Sequence, residues 1–142
     1  MKLSTRGRYG MRALYDLAVN AGAGPQSIKA IAEREGIPEA YLEQLIAPLK
    51  RAGLVTSTRG AQGGYTLARA PEEITVGDVL RALEDGLNLL DCLDEEDACG
   101  RSCACPSRVV WLKLREGMNA VLDGITLRDM IEDTACASAQ EE

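Results

Sequence analysis

Tyr9, Met11, Leu14, Leu17 and Ala18 recur at helical spacing, which predicts a helix over residues 5–21 with Thr5 as its N-cap. Ala21-Gly22-Ala23-Gly24-Pro25 ends it with small residues and a breaker. Ser27 can cap a second helix over 28–34. Glu35-Gly36-Ile37-Pro38 reads as a tight turn, with Gly36 free to take positive φ. Pro38 suits the first turn of a third helix over 39–46, where its missing N–H would have no intrahelical partner anyway. Pro48 is expected to bend or interrupt the continuation, and Ala52-Gly53 to end it.

From Leu54 the pattern changes. Residues 54–58 and 65–68 are short β runs around the glycine-rich turn Arg59-Gly60-Ala61-Gln62-Gly63-Gly64, which predicts a hairpin closed by Pro71. Thr75, with Asp78 three residues on, starts another helix whose apolar side is Val79, Leu80 and Leu83. Residues 86–106 lose helical periodicity and gain acid, glycine and cysteine. Periodicity returns over 107–122 with Val110, Trp111, Leu114, Met118, Val121 and Leu122. Thr126 and Asp129 mark a last short helix, Leu127 to Ile131, and the small polar tail from Thr134 is expected to fray. No internal repeat is present. The fold class is mainly α with a small β-hairpin: a winged helix-turn-helix over 1–72, a linker helix, cysteine loop and long helix over 73–133, and a flexible tail over 134–142.

The net charge of -6 argues against nucleic acid until its distribution is read. Residues 1–70 carry ten Lys/Arg against five Asp/Glu, whereas residues 71–142 carry six against 17. The basic half can meet phosphates while the acidic half stays off the duplex. That half also holds the whole order helix, helix, helix, basic hairpin, which favours DNA binding over a plain three-helix bundle. A helix entering the major groove can read each base pair by its edge. The leading residues of the third helix are Pro38, Glu39, Ala40, Tyr41, Glu43 and Gln44, while Leu42 and Leu45 should face the core. Gln44 can pair with adenine, and Glu39 or Glu43 can accept from the cytosine amine. Arg59 on the hairpin tip can enter a narrow minor groove. Gly60, Gly63 and Gly64 let the backbone approach phosphates. Lys2, Arg6, Arg8, Lys29, Lys50 and Arg51 are candidate phosphate contacts, and Ser27 and Gln62 complete the DNA-facing set.

No stretch resembles a signal peptide, and no run approaches a membrane span, so a cytoplasmic chain is expected. There thiols stay reduced, and clustered cysteines read as metal or redox chemistry. Cys92, Cys99, Cys103 and Cys105 fall within fourteen residues, with Cys136 apart in the tail. Clustered thiolates select iron–sulfur clusters, zinc or copper(I). The chain contains no His, which removes the commonest metal ligand and the usual general base. There is also no P-loop and no dinucleotide fingerprint, so the pattern argues against an enzyme. A cluster-bearing electron carrier and a protein-interaction module remain as competing classes.

Lys2-Leu3-Ser4-Thr5-Arg6-Gly7-Arg8-Tyr9-Gly10, Tyr41-Leu42-Glu43-Gln44-Leu45, Gly53-Leu54-Val55 and Arg59-Gly60-Ala61-Gln62-Gly63-Gly64-Tyr65 together carry a resemblance. The chain resembles, from Met1 to about Asp133, the bacterial winged-helix regulators typified by IscR, NsrR and CymR. The resemblance implies a homodimer in which the Val110–Leu122 helix crosses to the partner, and hence a pseudo-palindromic operator on double-stranded DNA. It also implies that Glu43 discriminates between operator types and that Arg59 reaches the minor groove. Cluster-binding members use three cysteines, matched here by Cys92, Cys99 and Cys105. The fourth ligand departs from the pattern. The place of the IscR-like His is Arg108, and the place of the NsrR-like acid is Arg8. Cys103 is the leading replacement, ahead of Cys136, Asp94, Glu96, a small-molecule thiol or an open position. A [2Fe–2S] or [4Fe–4S] cluster is therefore the first expectation, zinc the second, and a metal-free thiol switch the third.

Overall fold

The computed structural model describes residues 3–84 and 105–140. Helix α1 spans Thr5–Val19. Its N-cap is Ser4, not the expected Thr5, and the Ser4 Oγ accepts from the Gly7 N–H at 3.2 Å. A distant carboxylate decides between the two hydroxyls. Ser4 donates its backbone N–H and its hydroxyl to Glu84 Oε1 at 3.1 and 2.7 Å. Sequence alone could not rank Ser4 over Thr5, because the partner lies 80 residues away.

Helix α2 (Ile28–Glu35) is capped by Ser27, whose Oγ accepts from the Ala30 N–H at 3.1 Å. Gly36 ends it in the left-handed conformation at φ 65°. Helix α3 (Glu39–Arg51) follows, with Pro38 at the N-cap rather than in the first turn. The expected interruption at Pro48 does not occur, and α3 runs through it. A proline inside a helix costs about 3 kcal/mol through its lost bond and ring clash. Here Leu45, Ile46, Pro48 and Leu49 are all buried, and that burial offsets the cost. The helix then closes firmly: the Gly53 N–H reaches the Lys50 carbonyl at 3.1 Å and the Leu54 N–H reaches Leu49 at 3.0 Å.

Strands β1 (Val55–Thr58) and β2 (Gly64–Leu67) pair antiparallel, with Val55 opposite Leu67 and Thr58 opposite Gly64. Helix α4 (Val76–Leu83) opens on a complete capping box between Thr75 and Asp78, both bonds at 3.0 Å. Helix α5 (Pro106–Gly124) buries none of its residues in this chain. Helix α6 (Leu127–Gln140) opens on a second box, Thr126 with Asp129, at 3.0 and 3.1 Å. It continues well past the expected end at Ile131, through the alanine-rich stretch that reads as a frayed tail.

The starts of α4 and α6 lie side by side. The Val76 N–H donates to the Ile125 carbonyl at 2.8 Å and the Leu127 N–H to Ile74 at 3.0 Å. One core joins α1 to α4, β1 and the first turn of α6, built on Leu14, Leu17, Leu42, Leu49, Val79 and Leu127. Close approach of α1 and α4 depends on Gly7 and Gly10, where an added Cβ would collide with Glu84 Oε1 and the Leu83 side chain.

Candidate nucleic-acid interface and cysteine segment

Helix α3 presents Glu39, Ala40, Glu43 and Gln44 to solvent and turns Leu42 and Leu45 into the core, as the spacing predicts. Tyr41 is half-buried. Its ring meets Tyr9 edge-on at 5.8 Å, and the Arg12 guanidinium lies over Tyr9 at 5.3 Å. Arg6 and Arg8 are exposed on the first turn of α1, and Lys29 on that of α2. Ser27 spends its Oγ as the α2 cap, which leaves the hydroxyl proton for another acceptor. Lys50 donates to Ser57 Oγ at 2.8 Å, laying the end of α3 against β1, while Arg51 stays exposed. Lys2 lies outside the described residues.

The wing tip exposes Arg59, Gly60 and Gln62. Two of its glycines are required by geometry. Gly60 sits at φ 114°, where side chains are strained, and a Cβ on Gly63 would strike the Thr58 carbonyl. The tip can therefore fold tightly enough to hold Arg59 forward with little bulk around it.

Three residues outside the expected set support this surface. Asp16, on α1, is only 4% exposed and accepts both Nε and Nη2 of Arg34 on α2, at 2.8 and 2.7 Å. That hydrogen-bonded fork raises the Arg34 pKa above its ordinary value, with the Asp16 charge adding to it. Arg34 Nη2 also donates to Gln26 Oε1 at 2.8 Å. The signal for Asp16 is present in the sequence: an acid interrupts the apolar stripe between Leu14 and Leu17.

Of the cysteines, Cys92, Cys99 and Cys103 lie outside the described residues. Cys105 is half-buried and forms the N-cap of α5, with Pro106 in the first turn, and Arg108 donates its N–H to the Cys105 carbonyl at 3.2 Å. A helix N-terminus favours negative charge on a group at that place. Cys136 is exposed on α6. Among the described residues no group of three or more His, Cys, Asp or Glu side chains is placed to hold a metal ion. Nor is any helix among them long and apolar enough to cross a membrane.

Residues 3–133 match the Rrf2 family, described as an iron-dependent transcriptional regulator. This chain is a member of the Rrf2 family. The HTH-type transcriptional regulator CymR of Bacillus subtilis is 42% identical over 134 residues, covering 94% of this chain and 92% of CymR. Protein rrf2 of Nitratidesulfovibrio vulgaris is 45% identical over 135 residues, covering 95% of this chain and 90% of that protein. Among solved structures, T. potens IscR matches with a TM-score of 0.77 and 49% identity, over 94% of this chain and 88% of that one. The Rrf2 chain is thus a DNA-binding transcription regulator of the IscR and CymR type rather than an enzyme, with the winged helix-turn-helix that its basic half predicts.

The segment bearing the cysteines leaves this Rrf2 protein's α4 and enters its α5, and those two helices are tied by an ion pair. Arg81 grips Asp123 at 2.7 and 3.0 Å. The hydrogen bond from Arg81 holds the Asp123 carboxyl below its ordinary value of 3.8. A carboxyl depressed in the folded state contributes stability above its unfolded pKa and loses it as pH falls through the folded one. The α4–α5 link should therefore loosen as pH drops below 3.8. Thermal melting followed against pH reads it, and Asp123→Asn should remove the transition. A transition of unchanged midpoint in Asp123→Asn would assign it to other carboxyls.

Proposed function

We propose that this protein is a homodimeric regulator that reads a pseudo-palindromic operator with α3 and the wing, and whose operator affinity is set by an iron–sulfur cluster on the cysteine segment. The observation that carries the sensing reading is the placement of that segment. It begins after Glu84, whose carboxylate grips the N-terminus of α1, and ends at Cys105, the cap of α5. The donor set fits such a cluster: four thiols within fourteen residues and no imidazole. Cys92, Cys99 and Cys105 would hold it, with Cys103 as the fourth ligand. When bound, the group supplies a species whose assembly, loss or oxidation state differs with conditions. A change at the segment shifts operator affinity only as far as the two protein states bind the group differently. The identity with T. potens IscR supports this reading.

The dimer rests on α5. Val110, Leu114 and Val121 are 50–61% exposed and fall on one face of a helix that buries nothing within its own chain. Two copies joined there present two winged helices to successive half-sites.

The first test is anaerobic purification with an absorption spectrum and iron, sulfide and zinc analysis, on wild type and Cys103→Ala. Visible charge-transfer bands with iron and sulfide are expected, and their loss in Cys103→Ala. A colourless zinc protein, or one that takes up no metal after anaerobic reconstitution, would move sensing to zinc or thiol chemistry. The competing reading is a regulator controlled by a protein partner. Operator affinity that changes only with a stoichiometric protein partner would favour it.

For the DNA contacts, Arg59→Ala should cost about 1–3 kcal/mol of specific binding and relax discrimination at the wing-contacted A·T region. Lys50→Ala should weaken all sequences alike, as loss of a phosphate contact does. Both are read by titration against matched and mismatched duplexes at fixed salt. Identical profiles for the two variants would contradict the assigned contacts.

A further inference from the structure

The wing is only two four-residue strands, and a ribbon that small does not fix its own angle. A third segment completes it. Gln26, in the turn before α2, exchanges backbone hydrogen bonds with Tyr65 on β2: Gln26 N–H to Tyr65 O at 2.9 Å and Tyr65 N–H to Gln26 O at 2.8 Å. Gly64 passes so near that a Cβ there would lie 2.5 Å from the Gln26 carbonyl oxygen. The Gln26 side chain is itself fixed at both ends. Its Nε2 donates to the Gly24 carbonyl at 3.0 Å, and its Oε1 accepts from Arg34 at 2.8 Å. Arg34 is in turn held by the buried Asp16.

A continuous set of hydrogen bonds thus runs from α1 through α2 to the wing. A buried ion pair is weak evidence for stability by itself, because desolvation cancels much of its attraction. Its orienting value is larger, since the guanidinium fork fixes direction as well as distance.

We propose that Asp16, Arg34 and Gln26 are positioning residues for DNA recognition: they set the angle of the wing against α3 and so deliver Arg59 to the minor groove. Gln26 is the joint, because it touches both the guanidinium and the wing. This rests on the Arg59 contact proposed above, and the test separates the two.

The variants are Gln26→Ala, which keeps the backbone bridge possible and disturbs no core position, and Arg34→Lys, which keeps the charge but loses the fork. Amide exchange in the DNA-free protein reads the positioning directly. Tyr65 and the β1 amides should exchange about tenfold faster in Gln26→Ala, with α3 protection unchanged. Unchanged exchange at Tyr65 would overturn the proposal whatever the DNA result. A double-mutant cycle reads the consequence, using a duplex selected in vitro by the wild-type protein. Gln26→Ala should weaken binding about tenfold beside an intact Arg59, and less than about twofold in the Arg59→Ala background. Equal losses in both backgrounds would mean that Gln26 does not act through the wing. If Arg59→Ala alone costs nothing, the proposed minor-groove contact fails, and the exchange result decides whether Gln26 still positions the wing. Arg34→Lys should follow Gln26→Ala in both readouts.

Discussion

Leu114→Glu is expected to convert the protein to a monomer and to weaken specific operator binding by about 10²–10⁴-fold, the loss that follows when two linked half-site contacts become one. Leu114 is half-exposed at the middle of the α5 face that also carries Val110 and Val121. A carboxylate placed in a face-to-face helix contact must be desolvated without a partner, and such a contact does not survive it. Within a single chain the same substitution touches nothing buried, because α5 contributes no side chain to the core. Light scattering should give a mass near 15.2 kDa for the variant, against twice that for the wild type. Its circular dichroism and affinity for an isolated half-site should be nearly unchanged. A variant that stays dimeric and keeps its operator affinity would place the interface elsewhere.

The second large effect is on folding. Arg34→Ala should cost about 2–4 kcal/mol, because it strips both hydrogen bonds from a buried carboxylate. Asp16→Ala should cost less. The Arg34 side chain is 39% exposed and can turn its head to water, whereas Asp16 at 4% cannot. In a domain of this size the Arg34→Ala change lowers the melting temperature by roughly 10 °C. Urea unfolding of the metal-free protein measures both variants. Equal costs, or a larger one for Asp16→Ala, would mean that the carboxylate reaches solvent when its partner is gone.

The order of elements was legible because each declares itself locally. Ser27, Thr75 and Thr126 are capping residues, Gly36 stops α2, and two short β runs flank a glycine-rich turn at the hairpin. Two of the departures come from contacts that no local pattern encodes. Ser4 displaces Thr5 as a cap only because Glu84 arrives from the far side of the domain. Pro48 stays helical because its surroundings are core. The stretch after Ile131 reads as a tail for its small side chains, yet alanine is the strongest helix former. The solvent-facing positions of α3 could be picked by spacing, since Leu42 and Leu45 fix which side is inward. Asp16 is missing from the expected set although it interrupts the apolar stripe of α1, and nothing in the chain points to Arg34 as its partner or to Gln26 as the next link.

Glu84 and Cys105 bound the cysteine segment, and each is fastened to the rest of the molecule by its own contacts: Glu84 to the head of α1, Cys105 as the N-cap of a helix locked to α4 by Arg81 and Asp123. The core that carries α3 and the wing is assembled from residues outside the segment, so its supports are independent of what lies between those posts. The DNA-binding body behaves as a socket. Evolution, or an engineer, can fit it with a different chemical receptor by rewriting one insert and leaving the remainder of the gene alone.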